Sequence, residues 1–268
     1  LLKIDEYSGG HSTVTAIWLI QFLSYLESKK MRVTQAQNTL TPWPKNLTLQ
    51  VTKVPKKIIP TLKKMGFDFS EIHMDEDMSD FVDSKIQILN TSYLYQAAHN
   101  LNRMQGESDL LYAFGVGAAC HDLGKAFIPK AILNKPATLT QEEYRRMTSH
   151  PLGTFAILQK TLKDDERQRW VPLIGLLHHE RWDGKGYPLG LKGDQIPLVV
   201  RAMSVVDTFH AMTSTRPYRV GLSYDTAANI LEKEADQGQL DPTLTRAFVE
   251  MVRIELANEK TKANKESL

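Results

Sequence analysis

Two runs of ligand-type side chains stand out: His121-Asp122-Leu123-Gly124-Lys125 and His178-His179-Glu180-Arg181-Trp182-Asp183-Gly184-Lys185-Gly186-Tyr187-Pro188. Imidazole is the commonest metal-binding side chain. Two adjacent histidines closing the apolar run Val171–Leu177 therefore read as paired ligands. Glycines at 184, 186, 190 and 193 let backbone come close to a bound group. His150, just before Pro151, and Asp207, among Val205, Val206 and Phe209, each add one group. An aspartate on an apolar helix face is costly unless paired or metal-bound. The combination suits a metal centre facing a phosphorylated substrate. Histidines with two carboxylates fit iron, manganese, zinc or nickel better than calcium or magnesium. One carboxylate, Asp122, could bridge two metals about 3.5–4 Å apart, the spacing of binuclear hydrolases. Taken singly, each histidine has an ordinary reading as a hydrogen-bonded core residue. It is the set that points to chemistry.

These groups recur roughly every 28 residues, about one per helix, which fits a bundle with one inward ligand from each successive helix. The intervening patterns agree. Tyr112–Cys120 is an apolar helical segment, and Thr140-Gln141-Glu142-Glu143 is a capping box opening a helix to about Thr148. Further helices are predicted from Pro151 to Leu162, from Asp165 or Pro172 to His179, from Pro197 to Met212, over Asp225–Asp236 and over Pro242–Ala257. The first third differs. Ser12–Glu27 has helical spacing, Leu47–Val54 alternates as a strand, and Pro55–Met65 reads as a short helix. The predicted fold is mainly α. A small N-terminal α/β accessory domain spans 1–80, with acidic Met74–Asp80 as linker, a helical bundle spans 81–258, and a polar tail spans 259–268.

Composition narrows the partners. Over 268 residues, 42% are hydrophobic and 24% charged, ordinary globular values. A net charge of +2 gives no electrostatic case for nucleic acid or an anionic membrane. The longest apolar runs, near Val14–Leu23 and Leu110–Cys120, are too short to span a bilayer. The lone Cys120 excludes an internal disulfide and fits a reducing, cytoplasmic setting. Opening on Leu1 without methionine fits a piece of a longer protein.

His121-Asp122-Leu123-Gly124-Lys125, Ile128-Pro129, Leu139-Thr140-Gln141-Glu142-Glu143 and His150-Pro151 resemble the first half of an HD-GYP domain. The run His178 to Pro188, with Gly190-Leu191, Gly193, Ile196-Pro197, Arg201, Asp207, Thr213-Ser214 and Arg216-Pro217-Tyr218-Arg219, resembles the second half. The resemblance covers about Phe81 to Val252 and implies an HD-type helical bundle. It implies a bacterial signalling hydrolase, a phosphodiesterase that cleaves cyclic di-GMP to pGpG or GMP with divalent metals, iron or manganese ahead of nickel or zinc. The ligands it implies are His121, Asp122, His150, His178, His179 and Asp207, enough for two metals. Lys125 is expected to reach the substrate phosphate. Tyr187, Arg201, Arg216 and Arg219 are expected on the substrate side. The Gly-Tyr-Pro loop is expected to recruit signalling proteins, a diguanylate cyclase among them.

Two positions depart from the family pattern. Asn90 stands where the first helix normally supplies a histidine, with His99 as the alternative, and His210 replaces a second aspartate. A second reading keeps the hydrolytic centre and changes the substrate to another cyclic dinucleotide or a mononucleotide. A third is a non-enzymatic module that binds cyclic di-GMP and signals through protein contacts.

Overall fold

A computed structural model describes residues 6–29, 47–48, 67–68, 109–161, 170–215 and 219–266. In chain order these form α1 (Glu6–Ser28), β1 (Leu47–Thr48), β2 (Phe67–Asp68), α2 (Asp109–Cys120), a 3-10 turn (Leu123–Phe127), α3 (Lys130–Leu133), α4 (Gln141–Met147), α5 (His150–Thr161), α6 (Trp170–Leu177), a second 3-10 turn (Gly193–Gln195), α7 (Leu198–Thr213), α8 (Tyr224–Asp236) and α9 (Pro242–Glu266). The helix starts follow local chemistry. Thr140 Oγ1 accepts the Glu143 N–H at 3.2 Å while Glu143 accepts the Thr140 N–H at 2.7 Å, the reciprocal box the sequence predicts. Ser223 caps α8 through the Thr226 N–H at 3.2 Å. Asp241 Oδ1 accepts the N–H groups of Thr243 and Leu244 where α9 opens on Pro242.

The body is helix packed on helix. Every residue of α6 is buried, as expected of a helix that is apolar all round. It lies against α2, α5 and α7. Helix α7 in turn contacts α1, α8 and α9. Where these four meet, Trp18, Phe22, Phe209, Tyr224 and Phe248 form an edge-on aromatic cluster, with Phe22–Phe248 centroids 5.0 Å apart and Trp18–Phe209 5.5 Å. Edge-to-face rings at this spacing add to the hydrophobic gain of burial.

Helix α1 is thus part of the same core as α2 and α7, rather than of a separate unit over 1–80. Its apolar stripe predicts the helix, but a stripe does not say which surface it covers. The strand pair β1–β2 is parallel, with Leu47 opposite Phe67 and Thr48 opposite Asp68. The expected loop Met31–Asn46, helix Pro55–Met65 and linker Met74–Asp80 lie outside the described residues, as does most of the Leu47–Val54 strand. At the other end, α9 continues through Glu266 into the expected polar tail. Lys260, Lys262, Ala263, Lys265 and Glu266 are good helix formers without a glycine or proline among them. Among the described residues no helix is long and apolar enough to cross a membrane.

Because α1 closes the aromatic cluster, Trp18→Ala should destabilise the helical body by about 3–5 kcal/mol. Urea unfolding followed by tryptophan fluorescence and by circular dichroism should show both signals moving together to a lower midpoint. A variant that unfolds at the parent midpoint would return α1 to a separate unit.

Candidate metal centre

The ligand candidates come from the ends of three helices and the interior of a fourth. His121 and Asp122 follow the last turn of α2, His150 opens α5, His178 and His179 follow α6, and Asp207 lies within α7. His121, Asp122, His150 and His178 are buried and His179 half-buried.

One local device aims three of the imidazoles. Nδ1 of His121 lies 2.6 Å from the Ala118 carbonyl, that of His150 2.8 Å from the Met147 carbonyl, and that of His178 2.9 Å from the Gly175 carbonyl. A carbonyl only accepts, so each Nδ1 must carry the hydrogen and donate it. Each Nε2 is then directed inward, the second-partner arrangement typical of metal-binding histidines. His150 Nε2 and His178 Nε2 stand 3.3 Å apart. When neutral, the two rings face each other with lone pairs, an arrangement that a shared cation relieves.

Asp122 sits between two groups of donors. Its Oδ2 is 3.3 Å from His121 Nε2, which is itself 3.5 Å from Asp207 Oδ1. Its Oδ1 is 3.3 Å from His150 Nε2 and 3.8 Å from His178 Nε2. One ligand atom from each of Asp122, His150, His178 and His179 falls within 4.8 Å of the others. Two ligands each about 2.1 Å from one ion stand at most about 4.2 Å apart, so this group needs only slight closure to hold a cation.

Charge reinforces the fit. Burial disfavours charge on His121, yet Asp122 and Asp207 outweigh it and raise its pKa to about 10. Burial likewise opposes ionisation of Asp122, but Lys125 and then His121 hold the carboxyl well below its usual range. Burial, then neighbouring imidazoles, push His178 well below the usual histidine value. Burial, then His150, lowers His179 to about 3. The low values of His178 and His179 and the ionised Asp122 match the state a metal requires of its ligands, whereas His121, held protonated between two carboxylates, would have to release its Nε2 proton to bind one.

The other expected residues divide. Lys125 Nζ is 2.6 Å from Asp122 Oδ2, at the centre and partly open. The Tyr187 ring lies 4.8 Å from that of His179, and burial holds its phenol above the usual value, so it stays protonated. Arg219 is exposed and donates to the Ala211 and Met212 carbonyls near the end of α7. Arg216, Asn90 and His99 lie outside the described residues.

Arg201 is paired with acids outside the ligand candidates. Its Nη1 pairs with Asp241 Oδ2 at 2.7 Å and Asp194 Oδ1 at 3.1 Å, and its guanidinium lies 5.3 Å from the Trp182 ring centroid. Six residues rotate a helix by roughly 600°, which leaves Arg201 about 120° around α7 from Asp207. His210 is a core histidine whose Nδ1 lies 3.0 Å from Thr15 Oγ1, tying α7 to α1.

Sequence reading missed the groups that hold the ligands in place. Glu180 is buried and accepts the N–H groups of Leu189 at 2.7 Å and Leu191 at 2.8 Å, fastening the loop that carries Tyr187. Ser204 Oγ, within 3.0 Å of the His178 carbonyl and 3.1 Å of the Val200 carbonyl, links α7 to the paired histidines. A glutamate beside a ligand pair and a serine in an apolar helix carry no spacing signal of their own. Gly124 is explained by close approach, since a Cβ there would lie 1.9 Å from the His150 carbonyl oxygen and 2.5 Å from the Thr154 nitrogen.

Both neighbours of Gly124 are backbone, so Gly124→Ala should separate the His121–Asp122 turn from α5. Elemental analysis should find metal lost, and the stability cost should reach at least about 1–3 kcal/mol. Arg201→Met should leave the buried Asp241 carboxylate unpaired and cost about 3–5 kcal/mol in urea unfolding, with metal content kept. Unchanged stability would return Arg201 to the substrate side.

A family model described as HD domain matches residues 90–244, more than half of the chain. A cyclic di-GMP phosphodiesterase of Vibrio cholerae is 39% identical over 144 residues, covering 53% of this chain and 28% of that protein. A cyclic di-GMP phosphodiesterase of Pseudomonas aeruginosa is 40% identical over 141 residues, covering 52% and 33%. A 3′3′-cGAMP-specific phosphodiesterase of Vibrio cholerae is 38% identical over 121 residues, covering 45% and 27%. The chain spans 27–33% of the length of these relatives. With the His-Asp and His-His groups both inside the matched stretch, the chain belongs to the HD domain family.

Proposed function

We propose that this chain is a metal-dependent phosphodiesterase that hydrolyses cyclic di-GMP to pGpG or GMP. The observation that carries the reading is the convergence of backbone-anchored imidazoles on Asp122, whose two oxygens face different donor groups. His121, Asp122 and Asp207 would hold one divalent cation. His150, His178 and His179 would hold a second, with Asp122 shared between them. Iron or manganese suits this set, with nickel or zinc as further candidates. When bound, such a pair polarises phosphoryl oxygens and lowers the pKa of water.

The chain's own residues supply the rest. Hydrolysis breaks one P–O ester bond, with water giving its hydroxyl to phosphorus and its proton to the departing ribose oxygen. Lys125 sets a fixed positive charge beside Asp122, where charge on a reacting phosphate is most usefully met. The Tyr187 hydroxyl stays protonated and can donate to a ligand. The fastened loop around Tyr187 is the surface on which signalling proteins such as a diguanylate cyclase would dock. A bacterial second messenger as substrate puts the domain in the cytoplasm. Similarity to 3′3′-cGAMP-specific relatives supports a second reading, in which another cyclic dinucleotide is preferred.

The test is turnover of cyclic di-GMP and 3′3′-cGAMP by metal-loaded protein, with nucleotide products separated by chromatography. Two metals per chain and faster release from cyclic di-GMP are expected. Lys125→Met should keep metal content and slow turnover about 10- to 100-fold, the worth of one charge-assisted hydrogen bond. Faster release from 3′3′-cGAMP would select the second reading. Metal-replete protein that binds both nucleotides but cleaves neither would make the domain a sensor.

A further inference from the structure

Thr154 touches all three of the helix ends that carry the ligand histidines. It is fully buried on α5, one turn after His150. A threonine hydroxyl within a helix commonly bonds back to the carbonyl four residues earlier. Here Oγ1 donates instead to the His121 carbonyl at 2.8 Å and accepts the Gly124 N–H at 2.8 Å. These two bonds bracket Asp122, the residue shared by both donor groups. On its other side, the Thr154 methyl presses on Gly175 of α6, where a Cβ would lie only 2.5 Å from Cγ2. The Gly175 carbonyl is the group that fixes His178 Nδ1.

We infer that Thr154 is a positioning residue for the metal centre, its hydroxyl setting the His121–Asp122 turn against the His150 and His178 ends. The inference rests on the metal-centre reading above. Apolar packing alone leaves a turn free to slide by fractions of an ångström on a helix, and ligand sets tolerate only about 0.5 Å of misplacement. The two hydroxyl bonds remove that freedom from either side of Asp122. Without them, the Gly124 N–H and His121 C=O must find other partners, and the turn moves to do so. Loss of a group that orients ligands typically weakens metal binding about 10- to 100-fold.

Two substitutions separate hydroxyl from bulk. Thr154→Val keeps the shape and removes both hydrogen bonds, whereas Thr154→Ser keeps the hydroxyl and removes the methyl. Metal-free protein would be titrated with Co(II), reading affinity by calorimetry and coordination by visible absorption. Thr154→Val should bind Co(II) about 10- to 100-fold more weakly, with an altered spectrum, and Thr154→Ser should bind like the parent. The reverse order, a weakened Thr154→Ser beside a parent-like Thr154→Val, would make Thr154 a packing residue and overturn the inference. If melting of the metal-free Thr154→Val protein shows that it does not fold, Thr154→Ser decides alone: parent affinity upholds the hydroxyl's role and weakened binding overturns it. A parent chain that binds no Co(II) sinks the metal reading and the inference together. A parent that binds, beside a Thr154→Val protein that binds equally, sinks the inference alone.

Discussion

The bond from an imidazole Nδ1–H to the carbonyl three residues earlier governs the site. Repeated at His121, His150 and His178, it uses a carbonyl from the end of a helix or turn, where such groups lack intrahelical partners. Satisfying that carbonyl and fixing the tautomer are thus one event. The price is a cluster of nitrogens and carboxylate oxygens turned towards one another inside an apolar body. Such groups are costly to bury unless charge is shared among them. The low values of His178 and His179, the raised value of His121 and the depressed value of Asp122 are four expressions of that one constraint.

Holding polar atoms in this way requires rigid surroundings, and the helices supply them through close contact. Gly124 brings the His-Asp turn directly onto the first turn of α5. Helix α7 reaches the centre through Asp207 and supports the paired histidines through Ser204. The same helix carries Phe209 into the aromatic cluster and His210 to Thr15 of α1. The site and the core therefore share an element. The Thr15 bond ties α1 to His210, less than one helical turn from Asp207.

The candidate ligands and the helices are legible because both follow simple periods. Histidines and aspartates spaced about one helix apart, with Asp207 among valines, have few meanings other than a shared interior site. The capping box at Thr140 and the proline starts fixed helix openings to within a few residues. What escaped has no one-dimensional signature. Thr154 is one polar residue in the apolar stretch Pro151–Leu158, and Glu180 one acid in a loop, until folding puts backbone groups around them. The placement of α1 escaped for a related reason, since amphipathic spacing records that a face is covered and not by what.

Arg201 shows how helical arithmetic and chemistry can disagree. The family resemblance puts Arg201 on the substrate side, while the helical rotation between it and Asp207 turns it towards Trp182, Asp194 and Asp241. Asp241 is shaped for that meeting. One of its oxygens accepts the opening N–H groups of α9, while the other takes the guanidinium. The carboxylate thereby fastens the start of α9 to α7, through the same Nη1 that also meets Asp194. Positive charge at the metal centre then comes from Lys125, which reaches Asp122 directly. The two cations differ in their partners: Arg201 is claimed by a buried carboxylate outside the ligand candidates, Lys125 by one among them.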